Sequence, residues 1–268
     1  AVAVTEFSAG TGNALPITFT EESYGTPVVW IEDYPGQPSV SWQDSRKINP
    51  TYLCVMNETT KNLAMKLKPT MDPNRIVITG HPDFDKYATI DKENTRKEVR
   101  KKLHIDPEAI FIVFSGQVPT EGIPNKEILQ NLLSSLNELN ISKLAFMFSK
   151  HPRDRTPDED YLKILENFQG TIFHQENTSS EDIGLACDLL INARSTEGLK
   201  SAYRHIPSIH VLPEETFGKL QEKDLPLPII AGASIGVFHY EDLSKAIQDL
   251  ITPTNIAQAQ REKMEQLF

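Results

Sequence analysis

Continuously apolar runs of five to eight residues punctuate the chain, each followed by a polar or helix-periodic stretch. They are "AVAVTEFS" (1–8), "TPVVWIED" (26–33), "TYLCVMN" (51–57), "NRIVITG" (74–80), "AIFIVFSG" (109–116), "KLAFMFSK" (143–150), "GTIFHQ" (170–175), "CDLLIN" (187–192), "PSIHVL" (207–212) and "LPIIAG" (227–232). Most do not alternate apolar with polar, which is the pattern of strands covered on both faces. Helical period fills the gaps, in "KENTRKEVRKKLHI" (92–105), "NKEILQNLLSSLNEL" (125–139) and "YEDLSKAIQDLI" (240–251). In "TPDEDYLKILENF" (156–168) Thr156 is placed to be the N-cap, Pro157 the first helical residue and Glu159 the reciprocal partner of a capping box. Strand and helix alternate over most of the chain, which predicts an α/β protein with parallel sheets.

The polar stretch 81–94 reads as a linker. Residues 95–251 after it supply six strands, enough for a complete doubly wound sheet. Residues 1–80 supply about four, so the first domain is expected to be partial. "TPTNIAQAQREKMEQLF" (252–268) predicts a terminal helix begun by Thr252, Pro253 and Thr254. A sheet edge left by missing strands would need cover, from a homodimer or a partner subunit.

The charge narrows the function. With 37 acidic and 27 basic residues in 268, the chain has a formal net charge of −10. That argues against a nucleic-acid or anionic-membrane binder, which needs a basic face. Cys54 and Cys187 sit in apolar runs and read as reduced core residues, consistent with a cytoplasmic protein. No run approaches the roughly 18 apolar residues of a membrane span. The first basic residue is Arg46, so no signal-peptide pattern is seen.

In a doubly wound sheet, ligands bind beyond the carboxyl ends of the strands. Three such ends carry chemistry. Gly116 and Gln117 form a small turn that could let backbone approach a ligand. Lys150, His151 and Arg153 place two cations and a titratable ring at one strand end, a set suited to an anion. Arg194, Ser195, Thr196 and Glu197 lead into a short helix whose free amides and dipole favour an anion. Ser195 and Thr196 are equally ordinary caps; Glu197 would repel phosphate and fits better as an acceptor for ribose hydroxyls. His205 and His210 lack metal spacing and read as a helix end and packing. "RKEVRKK" (96–102) reads as a solvated basic face, and "SAGTGN" (8–13) matches no dinucleotide fingerprint.

"RIVITGHPDFDKY", a basic helix ending in "LHID", then "FIVFSGQ", "FSKHPRD" and "CDLLINARSTEGLKSAYRHIPSIHVL" follow in an order that resembles the GT-B glycosyltransferases. The likeness is nearest to the nucleotide-sugar epimerase, capsule-polysaccharide and glycerophosphotransferase-like branches, and it covers roughly residues 26–250. It implies two Rossmann-like domains, a C-terminal helix crossing back, and no cofactor or metal. The donor, a UDP- or CDP-linked sugar, would lie on the C-terminal domain and a sugar or glycan acceptor on the N-terminal one. Gly116 and Gln117 would lie near the donor phosphates, and Lys150 and His151 match the family's "HP" element. Ser195 and Thr196 would meet the diphosphate, and Glu197 the ribose. The family's acidic residue often comes a helical turn later, where Lys200 and Ser201 stand here. Where the epimerase branch has a His- and Arg-rich element, this chain reads "GQVPTEGIPN". In the N-terminal domain, Glu32 and Asp33 are the candidates for acid/base work. The expected activity is glycosyl transfer in glycan or polysaccharide biosynthesis. The alternatives are a non-catalytic nucleotide-sugar-binding subunit and a sugar-nucleotide epimerase.

Overall fold

A computed structural model describes residues 3–7, 25–32, 49–119, 122–166, 168, 171–173, 178–221 and 224–267. The chain divides into two compact units, Ala1–Thr89 and Ile90–Gln266.

In the first unit, β1 (Ala3–Phe7), β2 (Val28–Glu32), β3 (Tyr52–Val55) and β4 (Ile76–Ile78) form one parallel sheet in the order β1-β2-β3-β4. Helix α1 (Glu58–Leu67) starts at a capping box in which Asn57 and Thr60 satisfy each other's amides. Its Ala64 packs with Val28, Trp30, Leu53, Val55, Met71 and Ile76. Lys68 is 2 % exposed, and its ammonium sits 5.8 Å from the Trp30 ring centroid.

The second unit carries β5 (Ile110–Ser115), β6 (Leu144–Ser149), β7 (Thr171–Phe173), β8 (Leu189–Asn192), β9 (Ser208–Val211) and β10 (Ile235–Val237). All pair in parallel, in the order β10-β9-β8-β5-β6-β7. Numbered within the unit this is 3-2-1-4-5-6, the Rossmann order. Both faces of the central strand are apolar. Ile112 and Phe114 face a cluster that includes α3 (Asn125–Leu139), α4 (Asp158–Leu165) and α9 (Leu243–Ile251). Phe111 and Val113 face another with α2 (Lys92–Lys102) and α5 (Ser180–Ala186). Each such buried side chain contributes roughly 1.5–3 kcal/mol. The terminal helix α10 (Asn255–Leu267) begins where Thr254 accepts the Ala257 amide at 3.1 Å. Its Ala257 joins the first cluster, and its Gln260 donates to the Ser208 carbonyl at 3.2 Å.

Three expectations are corrected. "LPIIAG" is not a strand: Leu227–Ile230 is a short helix, α8, with Pro228 in its first turn. Proline suits a helix start and deprives a central strand of a ladder bond. The outer strand is Ile235–Val237 instead. Helix α4 is not capped by Thr156; its N-cap is Pro157, without a side-chain bond, and the Thr156 amide expected to bind Glu159 is taken by Asp154 at 2.8 Å.

The basic helix α2 is not merely solvated either. Arg100 is 5 % exposed and reaches Asp188 at 2.5 Å, the Ala186 carbonyl at 3.0 Å and the Ala109 carbonyl at 3.0 Å. Arg96 pairs with the other Asp188 oxygen and donates to the Ala186 and Cys187 carbonyls. Asp188 also accepts the Phe111 amide at 2.7 Å, so it ties β5 and α2 to the start of β8.

Candidate functional site

In the Rossmann order the strand order reverses between β5 and β8, and folds of this kind bind ligands in the crevice beyond the carboxyl ends of those strands. Ser115 and Asn192 end these strands as register partners. The next residues are Gly116 and Gln117 on one side, and Ala193, Arg194 and Ser195 on the other.

Gly116 donates to the Ser149 carbonyl at 2.9 Å, and a side chain there would meet the Phe148 ring at 3.0 Å, so glycine permits this approach to β6. Gln117, 8 % exposed, bridges the two sides: its side-chain oxygen accepts the Arg194 amide. Asn125 at the head of α3 holds the Gln117 backbone at both its amide and its carbonyl. Asn125 in turn reaches Asp154 at 3.4 Å, and the Tyr161 hydroxyl donates to Asp154 at 2.6 Å. One buried network therefore fixes the loops after β5 and β6 together.

This network has a pH signature. Burial alone would raise the Asp154 pKa, but hydrogen bonds from Tyr161 and Thr156 outweigh it and hold the carboxyl below its ordinary value. Burial and the same bond push the Tyr161 hydroxyl up to about 12. A carboxyl lowered in the fold stabilises it above the unfolded pKa, and that stability is lost as pH falls through the folded one. Asp154→Asn is therefore expected to flatten the loss of stability below about pH 4, read by urea unfolding between pH 3 and 6. Coincident acid limbs for the two proteins would contradict it.

Helix α6 (Thr196–Arg204) opens at the second side of the crevice. Ser195 is its N-cap, accepting the Glu197 amide at 3.2 Å, while its own amide donates to the Asn192 side chain at 3.1 Å. Thr196 is exposed, and neither its amide nor its hydroxyl has a partner among the described residues. The Arg194 guanidinium donates to the Asp224 carbonyl at 2.7 Å and lies 5.4 Å from the Phe217 ring centroid. Glu197 is ion-paired on both oxygens, to Lys200 and to the fully buried Arg204, each at 2.9 Å.

At the end of β6, Lys150 is drawn to the head of α4, where it binds the Thr156 carbonyl and Asp158 at 2.6 Å. His151 accepts the Arg153 amide at 3.0 Å and so shapes the turn. Arg153 and Arg155 line a cavity of about 710 Å³ with Val118 and Pro119 of the β5 loop. Thus Gly116, Gln117, Arg194, Ser195, Thr196 and Glu197 meet at the crevice, while Lys150, His151 and Arg153 stand one strand away.

The first unit keeps its own candidates. Glu32 is 2 % exposed, and its carboxylate accepts the Met56 amide at 3.3 Å, linking the ends of β2 and β3. Asp33 and residues 8–13 lie outside the described residues. Among the described residues no group of three or more His, Cys, Asp or Glu could hold a metal ion, and no helix is long and apolar enough to cross a membrane.

Sequence reasoning read His210 as packing. The ring is fully buried in β9, but its Nδ1 also lies 2.7 Å from the Ala193 carbonyl, inside the crevice turn. A histidine within an apolar run, one residue before the strand's end, was the available signal.

No family model matches the chain, and no curated protein does. Solved structures do. A variant of the wall teichoic acid polymerase TagF matches with a TM-score of 0.55 at 11 % identity, over 99 % of this chain and 82 % of that one. MnaA of S. aureus with UDP matches at 0.67 and 13 % identity, over 97 % and 69 %. UDP-GlcNAc 2-epimerase from Neisseria meningitidis, bound to UDP-GlcNAc, matches at 0.63 and 14 %, over 97 % and 70 %. These likenesses, at such low identity, establish the fold: the chain is an α/β protein of two Rossmann-like units, GT-B-like in architecture.

Proposed function

We propose that the chain binds the nucleotide of a sugar-nucleotide donor at the β5–β8 crevice and serves glycosyl transfer in glycan or polysaccharide assembly. The observation that carries this is the joined crevice itself. Gln117 locks the β5 loop to the Arg194 amide beside a capped helix start, where Thr196 still offers an uncommitted amide and hydroxyl. Such donors, with the positive end of the helix, suit the charge that develops on a departing diphosphate. Gly116 would let the ligand approach the backbone, and Arg153 would supply a cation from the β6 loop. Glu197 stands within the same turn for the ribose, with Lys200 and Arg204 balancing its charge.

Epimerisation of a sugar nucleotide is the second reading, favoured by the higher TM-scores of MnaA and the N. meningitidis enzyme. Both readings share the nucleotide site.

The test is a thermal-shift series with UDP, CDP, GDP and CMP, on wild type and on Gln117→Ala. Ligand at about 100 times its Kd adds roughly 2.7 kcal/mol of stability, so one nucleotide is expected to raise Tm by several degrees. Gln117→Ala is expected to abolish most of that rise. No shift with any of the four would remove the proposal. Product analysis with the matching sugar nucleotide then separates the readings: a changed sugar with no acceptor present means epimerisation.

A further inference from the structure

The turn Ala193–Arg194–Ser195 is held at three consecutive residues, each from a different part of the sheet. The Ala193 carbonyl accepts from His210 of β9, the Arg194 amide donates to Gln117 beyond β5, and the Ser195 amide donates to Asn192 at the end of β8. Gln117 and Asn192 lie next to the turn. His210 reaches it from the neighbouring strand, where it is the register partner of Asn192, and it has no exposed surface.

Its chemistry is poorly matched to a purely structural post. Nδ1 lies 2.7 Å from a carbonyl, so Nδ1 carries the proton and Nε2 is a bare acceptor. That Nε2 is buried without a hydrogen-bond partner among the described residues. A buried acceptor left unsatisfied costs stability, and an aliphatic side chain would fill a strand position without that cost. Burial holds the ring neutral, with a pKa pushed down to about 4 and the nearby Arg194 charge acting the same way, so the polarity of the bond is constant near neutral pH. The ring is also pressed against α6. A Cβ on Gly198 would stand 2.5 Å from Cε1 and 2.6 Å from Nε2 of His210, and 2.8 Å from the Asn192 amide nitrogen. Glycine at the third position of α6 is thus what lets the ring reach the turn.

We propose that His210 is a positioning residue of the nucleotide site: untouched by ligand, it sets the pose of the Ala193–Ser195 turn, and with it the affinity for a nucleoside diphosphate. The proposal rests on the nucleotide-binding reading above.

The experiment is calorimetric titration of UDP and of CDP, at pH 7.5, into wild type, His210→Asn and His210→Leu, with the Tm of each recorded. Asparagine can place its amide nitrogen where Nδ1 stood; leucine fills the space and donates nothing. His210→Leu is expected to weaken binding at least about tenfold, which is about 1.4 kcal/mol, while His210→Asn stays within about threefold of wild type. A structural role alone would lower Tm in the variants without separating their affinities. Should His210→Leu fail to fold, His210→Ala takes its place. Equal affinities in all three proteins, or asparagine as weak as leucine, would overturn the proposal and leave the nucleotide reading standing. Wild type that binds neither nucleotide would overturn both.

Discussion

Asp188→Ala is expected to destabilise the second unit by roughly 4 kcal/mol, because removing one partner of a buried ion pair strands the other. Arg100 is the stranded group: its side chain is 6 % exposed, and without the carboxylate at 2.5 Å its guanidinium keeps only backbone carbonyls as partners. Arg96, at 31 % exposure, is better able to turn to solvent and adds less. The Phe111 amide loses its acceptor at the same time. Urea unfolding should show the loss, and Tm should fall by about 2–4 °C per kcal/mol for a unit of this size. Asp188→Asn keeps an acceptor for the Phe111 amide but not the charge, and should fall between the two. A loss below about 1 kcal/mol in Asp188→Ala would mean that both guanidinium groups are satisfied by the carbonyls alone.

Glu197→Ala comes next, at about 3 kcal/mol. Arg204 has no exposed side-chain surface, and its guanidinium lies against Gly184 so closely that a Cβ there would stand 2.1 Å from Nη1. It cannot retreat. Glu197 is therefore a counter-ion as well as a candidate ribose ligand, and the two roles need separating. Glu197→Gln retains a hydrogen bond to Arg204 and should recover much of the stability. If Glu197→Gln folds well yet loses nucleotide affinity, the carboxylate meets the ligand. If its affinity is unchanged, the ribose role is wrong. Glu197→Ala alone could not distinguish them, since a collapsed α6 start would also lose ligand.

The strands were legible where continuous apolar runs had the length of a sheet strand. That is why "AIFIVFSG" and "CDLLIN" became the centre of the second sheet. "LPIIAG" failed because a short apolar run does not tell strand from helix, and Pro228 within it was the overlooked sign. One local signal also lost to another. Thr156 has the makings of a cap, yet Asp154 already claims its amide. The crevice loops were readable as strand ends rich in small and charged residues. Their connections were not, because Gln117 and Arg194 stand 77 residues apart, and Arg100 and Asp188 88 apart. Nothing local in either stretch announces the partner.

The Asp188 cluster bears on a different question, how β5 finds its alignment with β8. A half-buried strand is aligned by its polar face, since a one-residue slip would turn it inward. β5 has no such face: slipping would exchange Phe111 and Val113 for Ile112 and Phe114, apolar for apolar. Greasiness cannot count residues here. Asp188 can, because only one alignment brings its carboxylate to the Phe111 amide. With that end set, Ile112 pairs with Leu189 and Ser115 with Asn192, and Gln117 arrives opposite the Arg194 amide. The charged cluster at the foot of the sheet thus acts as a ruler for the crevice at its head, and damage to it should be felt as misalignment there.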